Sequence, residues 1–432
     1  MKRKTHARIV LVMTALALFL VAAAAAGAAP TITWWTWWSP INDQWDKDYF
    51  AAIEKDVGVK VERTIYPFPD YLNALKASMM SGEGPDVFSS AGGGSPFGDF
   101  TPIMEPLEPW LVKSWGPGWK DRWGVFDVKD ILGIDPMGST MYALPMTHQV
   151  GGIIWYNTDI FKKYNLAVPK TYAELKKIAD VLNANGITPI AWGAKDQWPN
   201  KDWFITVAAQ VAGDKFWQAG RGEAKFTDPD LVKALEFFVQ MQKDKLFSAG
   251  SWGMTQYMDA ENLFAEGKAG MMITGTWDAW LTNAHPEGKD KWRGFLFPKV
   301  GAGKPQIPWA SSSMDFSMNK NARDKDAAWK FISWYGTEAG AKWWTGPTTG
   351  QDAALKSMKL TWSDHPEWAK FYDWMYSLAP LAQPRETRFP EIGEATQTAV
   401  EAASVKGVPA REALQLIQDA YDKAVKSRKL AR

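Results

Sequence analysis

The chain has 432 residues, of which 26 are tryptophan and none is cysteine, and it carries a formal net charge of +1. This composition excludes disulfides, a thiolate metal site and a lipid-modified cysteine, and the balanced charge argues against nucleic acid as a partner. Roughly 400 residues beyond an N-terminal leader exceed one usual hydrophobic core, so two domains are expected.

Residues 1–28 read as a secretory signal peptide. Lys2, Arg3, Lys4 and Arg8 form a basic start, Ile9 to Ala26 is apolar, and Ala26-Gly27-Ala28 is a small-residue cleavage site before Ala29. The alternative is a retained membrane anchor, because the apolar run is nearly long enough to span. A periplasmic or extracellular location is expected, and loss of the leader turns the net charge slightly negative.

The next segment, TITWWTWWSP (Thr31–Pro40), reads as a strand holding Trp34, Trp35, Trp37 and Trp38. Alternation sends Trp35 and Trp37 to one face and Trp34 and Trp38 toward the other. A strand at a chain start does not easily bury both faces. Indole presents a flat apolar plate with one polar N–H, which suits a ligand that is apolar on a face and polar at its rim. A sugar ring is such a ligand, so the segment marks a candidate carbohydrate binder. Trp37 and Trp38 stand at the carboxyl end of the strand, where open α/β sheets place ligands; Trp34 and Trp35 read as packing.

A helix is predicted around Asp43–Asp56, a strand over Val59–Ile65, a helix over Tyr71–Ser81 and a strand opening at Pro85-Asp86-Val87-Phe88. The loop SSAGGGSPFGDF comes next, with Gly92, Gly93 and Gly94 allowing close approach to a ligand. Residues 100–140 read as irregular. Short extended runs are predicted at Tyr142–Pro145 and Gly152–Tyr156, then helices at Thr171–Asn185 (Thr171 and Glu174 forming a capping box), Asp202–Val211, Pro229–Lys243 and Tyr257–Glu266. Strands are predicted at Thr188–Trp192, Gly270–Thr274, Phe295–Phe297 and Asp315–Met318, and helices at Ala327–Tyr335, His365–Tyr376, Ile392–Ala403 and Ala410–Val425. Alternating strands and helices imply α/β units around mostly parallel sheets.

Four stretches in this order resemble the extracellular solute-binding proteins of bacterial ABC sugar importers, the maltose-binding-protein-like family. They are SGEGPDVF (Ser81–Phe88), YALPMTHQVGGIIWYNTDIFKKYNLAVPKTYAELKKIADVLNANGITPI (Tyr142–Ile190), FAEGKAGMMITGTWDAW (Phe264–Trp280) and FPEIGEATQTAVEAASVKGVPAREAL (Phe389–Leu414). The resemblance implies a two-lobed periplasmic-binding-protein fold (type II), each lobe a mostly parallel sheet flanked by helices, joined by hinge crossings. The first lobe is expected over 29–149 plus 314–350 and the second over 150–313 plus 351–432, with ligand in the cleft and closure by a hinge motion. The implied partners are a mono- or oligosaccharide and the permease subunits of an ABC transporter; no cofactor is implied, and a monomer is expected.

The resemblance places Ser90 and Ala91 at the ligand, and Trp277 as a stacking tryptophan beginning a helix. Asp278 is a candidate acceptor for sugar hydroxyls, or a first-turn carboxylate favoured by the helix dipole. Trp198, Asn200, Asp202 and Trp203 belong to a segment that lines the cleft in the family, although Asp202 also suits a helix cap. His148 and Gln149 stand at the first crossing, and Trp309, Ser311 and Ser312 at the second. Arg388 and Glu391 precede a C-terminal helix and alternatively form a surface pair. Trp343 and Trp344 read as core. Ser39 and the glycines stand where maltose-binding protein has charged residues, which leaves the ligand class and the length of the sugar open.

Other chemistries find little support. His148, His285 and His365 lack metal-ligand spacing. No G-x-S-x-G elbow occurs, and GAGKP (Gly301–Pro305) lacks the length and the hydroxyl residue of a phosphate loop. Asp259, Glu261 and Glu266 share a predicted helix and read as a solvated face. A secreted glycoside hydrolase, needing two carboxyl groups at a defined separation, and a binder of a non-sugar solute such as a polyol are the alternatives to a sugar receptor.

Overall fold

A computed structural model describes residues 29–90, 103–124, 141–300, 306–346, 349, 351–358, 360, 365–378, 381–385 and 389–430. The signal peptide, Ala91 with the glycines after it, the GAGKP segment and Arg388 lie outside the described residues. Among those described, no helix is long and apolar enough to cross a membrane.

Two sheets organise the chain. The first has the order β2-β1-β3-β10-β4, from β1 (Thr31–Thr36), β2 (Lys60–Ile65), β3 (Val87–Ser90), β4 (Leu144–Pro145) and β10 (Asp315–Met318). The second has the order β12-β9-β5-β7-β6, from β5 (Thr147–Asn157), β6 (Thr188–Ala191), β7 (Ala269–Gly275), β9 (Trp309–Ser312) and β12 (Gln383–Pro384); β8 (Trp292–Leu296) and β11 (Asp352–Ala353) also pair with β5. Both sheets are mixed rather than mostly parallel. β10 runs antiparallel to β3 and β4, and β5 runs antiparallel to β7, β8, β9 and β11. Alternation of strands and helices predicts parallel neighbours only where a helix returns the chain, as it does for β1, β2 and β3. The exceptions are strands entering a sheet directly from the other one: β4 and β5 are separated by Met146 alone, and β9 and β10 by Ser313 and Met314. The two connections are tied together, Met146 N–H donating to Met314 O at 2.8 Å and Ser313 N–H to Thr147 O at 3.0 Å. Ala354 N–H adds a bond to Met146 O at 3.0 Å.

The tryptophan strand buries one face fully and the other only in part, in line with the expectation that both do not easily enter a core. β1 lies between β2 and β3, not at an edge. Trp34 and Trp38 enter a core with Tyr49, Phe316 and Phe331, while Trp35 and Trp37 pack on the other face beside Tyr66 and Tyr71. Several helices keep their predicted limits, including Pro229–Lys243 and the capping-boxed helix Tyr172–Ala184. A helix at Glu108–Trp115 interrupts the stretch read as irregular; Pro109 at its second position is compatible with a helix start.

Candidate functional site

The second sheet contains a patch without side chains. In the register of the sheet Gly151 faces Gly275 of β7 on one side and Trp309 of β9 on the other. A bulge comes next, with Gly152 at φ 78°, a conformation that favours glycine. Two indoles occupy the space so created. A Cβ on Gly151 would stand 2.1 Å from Trp309 Cζ2, and one on Gly275 would stand 2.0 Å from Trp277 Cζ3. Trp277 and Trp309 stack on each other, with ring centroids 5.5 Å apart and planes inclined by 25°.

Trp198 completes the wall, its ring edge-on to Trp277 at 6.0 Å. It is the first residue of the helix Trp198–Ala212, which starts after Gln197 at φ 65° with Pro199 in its first turn. Asp202 therefore lies inside the helix rather than capping it. One turn beyond Trp198, it projects from the same face. These residues, with Trp203, Ile273 and Thr274, line a cavity of about 10 Å³, room for roughly one water.

Arg385 braces the cavity. Its backbone N–H pairs with Ala310 O at 2.8 Å, continuing the β12–β9 ladder. Its Nε and Nη2 donate to the two carboxylate oxygens of Asp202, each at 3.0 Å. Its Cζ lies 5.2 Å from the Trp309 ring centre and 5.7 Å from that of Trp198. A planar bidentate fork against two aromatic rings is a role that lysine does not fill. Arg388, the arginine expected at the site, lies outside the described residues.

Beside this wall stand two buried carboxyl groups. Asp278 is fully buried and does not line the cavity; its carboxylate accepts from Thr274 Oγ1. Burial pushes its carboxyl up to about 7, with hydrogen bonds from Thr274 and Glu261 acting in the opposite direction. Glu261 is 1% exposed, not on a solvated face. Burial, and then the neighbouring Asp278 carboxylate, push it well above the usual carboxylate range. At about 100° per residue Glu261 stands about 200° from Asp259 and about 140° from Glu266, on the face of the buried Ala260 and Phe264, so the three carboxylates do not share a solvated face.

The remaining candidates disperse. Trp38 is 5% exposed and packs edge-on against Phe316 in the first core. Trp37 is half-buried on Phe68 and Tyr71, and Ser39 is exposed. Ser90 is buried and hydrogen-bonds Ser317 across β3 and β10. His148 is buried at the β5–β11 pairing, 3.1 Å from the Asp352 carboxylate and edge-on to Tyr376. The two bodies also touch near the cavity: Tyr257, which lies over Trp198 at 5.4 Å, meets Phe68 edge-on at 6.0 Å. Tyr257, Arg385 and the glycine floor carried no signal in the sequence beyond the Gly-Gly pair inside an extended run. Among the described residues no cluster of three metal-ligating side chains occurs.

A family model for bacterial extracellular solute-binding proteins matches residues 36–342. An uncharacterised ABC transporter extracellular-binding protein of Pyrococcus horikoshii is 31% identical over 202 residues, 45% of this chain and 43% of that one. The maltotriose-binding protein of Pyrococcus abyssi is 26% identical over 293 residues, 67% of this chain and 58% of that one. The matched stretch thus spans about half the length of these two relatives. The maltose-bound T. maritima MalE3 superimposes with a TM-score of 0.75 at 20% identity, over 91% of this chain and 99% of that chain. The structural likeness shows the fold: two α/β lobes, as in the type II periplasmic-binding proteins.

Proposed function

Since the chain belongs to the bacterial extracellular solute-binding proteins, we propose that it captures a sugar or oligosaccharide at the cavity walled by Trp198, Trp277 and Trp309 and delivers it to the membrane permease of an ABC importer. The observation that carries this reading is the pair of indoles laid on a glycine floor. Side-chain-free backbone lets the plates lie flat, and flat indoles complement the C–H faces of a pyranose. The names of the relatives, one for maltotriose, point to the same ligand class.

The cavity is smaller than a sugar ring, so binding requires Trp277 and Trp309 to part. An aromatic pair contributes about 0.5–1.5 kcal/mol beyond its buried area, a barrier that a stacked sugar offsets. In this reading the lobes follow the two sheets, the chain passing between them at Met146 and at Ser313-Met314. The tied connections at Met146 and Ser313-Met314 act as the hinge, and the Tyr257–Phe68 contact belongs to the closed state. The chain acts outside the cytoplasm as a monomer, carried there by its signal peptide.

A receptor fits better than a hydrolase. Glycoside hydrolysis uses two carboxyl groups flanking the bond. The one carboxylate among the lining residues, Asp202, is held in both oxygens by Arg385. Calorimetry with maltotriose, galactooligosaccharides and chitin oligosaccharides tests the proposal: at least one binds and is recovered intact. Absence of binding across the panel, or recovery of shortened sugar, overturns it.

A further inference from the structure

The cavity wall carries one carboxylate, and a guanidinium is packed against it. Asp202 lines the cavity, and Arg385 reaches both of its oxygens, from Nε at 3.0 Å and from Nη2 at 3.0 Å. The two side chains are largely withdrawn from water, at 8% exposure for Asp202 and 13% for Arg385. A bidentate fork of this kind is a strong pairing, and it holds both partners in one geometry. The same guanidinium stands 5.7 Å from the Trp198 ring centre and 5.2 Å from that of Trp309. Aromatic faces attract cations, and these two already hold one. Among the described residues every other one lining the cavity is uncharged; Lys195 and Lys201, on either side of Trp198 in the chain, are not part of the lining.

We infer that this pair sets the charge of the ligand: the site takes neutral sugars and rejects both sugar acids and amino sugars. The inference rests on the reading of the cavity as the sugar site. A uronic acid brings a second anion against Asp202, whose counter-charge is already engaged. An amino sugar brings a second cation against rings that Arg385 already faces. Like charges set side by side in a contact oppose binding, and a carboxylate or ammonium group gives up its water on entering an aromatic wall. A neutral pyranose meets neither cost. Its C–H face lies on indole, and its hydroxyls meet a pair whose net charge is zero. Selection here comes from exclusion as much as from contact.

Each half of the pair hides the opposite preference. Without the carboxylate, the guanidinium fork matches a ligand carboxylate in two parallel bonds. Without the guanidinium, a carboxylate beside two aromatic faces is an environment that recognises ammonium. Removing both charges restores neutrality.

Calorimetry at about pH 5.5, where sugar acids are ionised and sugar amines protonated, compares four trisaccharides: maltotriose and tri-N-acetylchitotriose, both neutral, trigalacturonate, and chitotriose with free amines. The parent protein binds a neutral member and neither charged one. Asp202→Asn gains affinity for trigalacturonate by about tenfold or more over the parent, and Arg385→Gln gains as much for the amine-bearing chitotriose. The double variant Asp202→Asn/Arg385→Gln loses both gains. Every comparison holds the ligand fixed, so differences in ring stereochemistry cancel. Formate titrated against the Arg385 Nε–H resonance by ¹⁵N NMR, identified by its loss in Arg385→Gln, tests the pair without a sugar. The resonance moves saturably in Asp202→Asn and stays in place in the parent. A parent protein that binds either charged trisaccharide as tightly as a neutral one overturns the inference, whether or not the variants fold. Single variants that keep the parent's ranking overturn it too and leave the sugar reading standing. If no trisaccharide binds while formate tells Asp202→Asn from the parent, the charge balance stands and the sugar reading falls; if formate does not, both fall.

Discussion

Trp34 with Trp38 in the first sheet, and Trp277 with Trp309 in the second, use one side chain at nearly the same burial. Each pair sits in an aromatic cluster, with centroids 5.9 Å apart in the first and 5.5 Å in the second. Their floors differ. Trp34 is anchored as a core residue, its Nε1 donating to Ser89 Oγ at 2.9 Å, which in turn donates to Thr36 Oγ1 at 2.8 Å. Its rings meet Phe316 and Phe331 at inclinations of 52° and 53°, filling space in three dimensions. Trp277 and Trp309 lie nearly parallel over backbone, beside a cavity, with both indole N–H groups unpartnered. The missing partner alone does not mark a site, since Trp155, Trp192 and Trp368 lack one too within the core. The mark is the glycine floor together with the cavity. Density of tryptophan locates packing and binding alike, and the residues beneath the ring tell them apart.

The largest effect expected from this contrast is on stability. Trp34→Ala removes a fully buried indole and its hydrogen bond to Ser89, so urea unfolding should show a loss of about 3–5 kcal/mol. Sugar affinity of the folded fraction stays unchanged. A Trp34→Ala protein with parent stability would make the first cluster something other than core.

Gly275→Ala sharpens the comparison from beneath the ring. The new methyl meets Trp277 and also stands 2.5 Å from Val150 O, which is backbone and cannot swing away. Overpacking of this kind costs about 1–3 kcal/mol of stability, and the displaced indole should lower sugar affinity as well. The same substitution at Gly58, where no atom lies within 4 Å of the added Cβ, should leave affinity unaltered. Parent affinity in Gly275→Ala would show that the glycine floor has no part in binding.

Trp277→Ala should weaken binding by about 1–3 kcal/mol, the scale of a lost large apolar contact. Calorimetry with the sugar that binds the parent protein checks this, and unchanged affinity would separate the indole pair from the ligand site.

Much of the fold was legible in the sequence because helix signals are local. Thr171 and Glu174 cap their helix within four residues, and Pro229 marks the start of a later one. Trp198, Asp202, Trp277 and Trp309 were also legible, through the resemblance, and the structure brings these four together. The features that escaped depend on phase or on long-range pairing. Glu261 reads as solvated only when grouped with Asp259 and Glu266; at a period of about 3.6 it falls on the buried face with Ala260 and Phe264. Arg385 reaches Asp202 across 183 positions of sequence, through a two-residue strand with no periodicity to read. Trp38 was placed at the ligand from its position at a strand end, but β10 and the helix behind it close over that face.

The smallest expected effect is a pair of opposite pH slopes, one from each lobe. In the first, Asp86 is buried, which raises its carboxyl, but bonds from Arg323 and Thr33 outweigh this and hold it below the usual carboxylate range. Its ionised form is favoured by folding, so its contribution is present above the ordinary carboxylate pKa and is lost as pH falls through the native value. In the second, Asp278 is raised to about 7 and the native state keeps a proton that the unfolded chain has released. That contribution is complete below the ordinary carboxylate pKa and is lost as pH rises toward about 7. A group that differs by one proton between the two states changes stability by at most about 1.4 kcal/mol per pH unit. Thermal unfolding of the parent across the acid and neutral range should therefore fall away at both ends. Asp86→Asn should flatten the acid limb and leave the neutral one, and Asp278→Asn should do the reverse. If one substitution flattened both limbs, the two carboxyl groups would be titrating as a single coupled system, and the division of labour between a packed lobe and a lobe built around a ligand would have to be withdrawn.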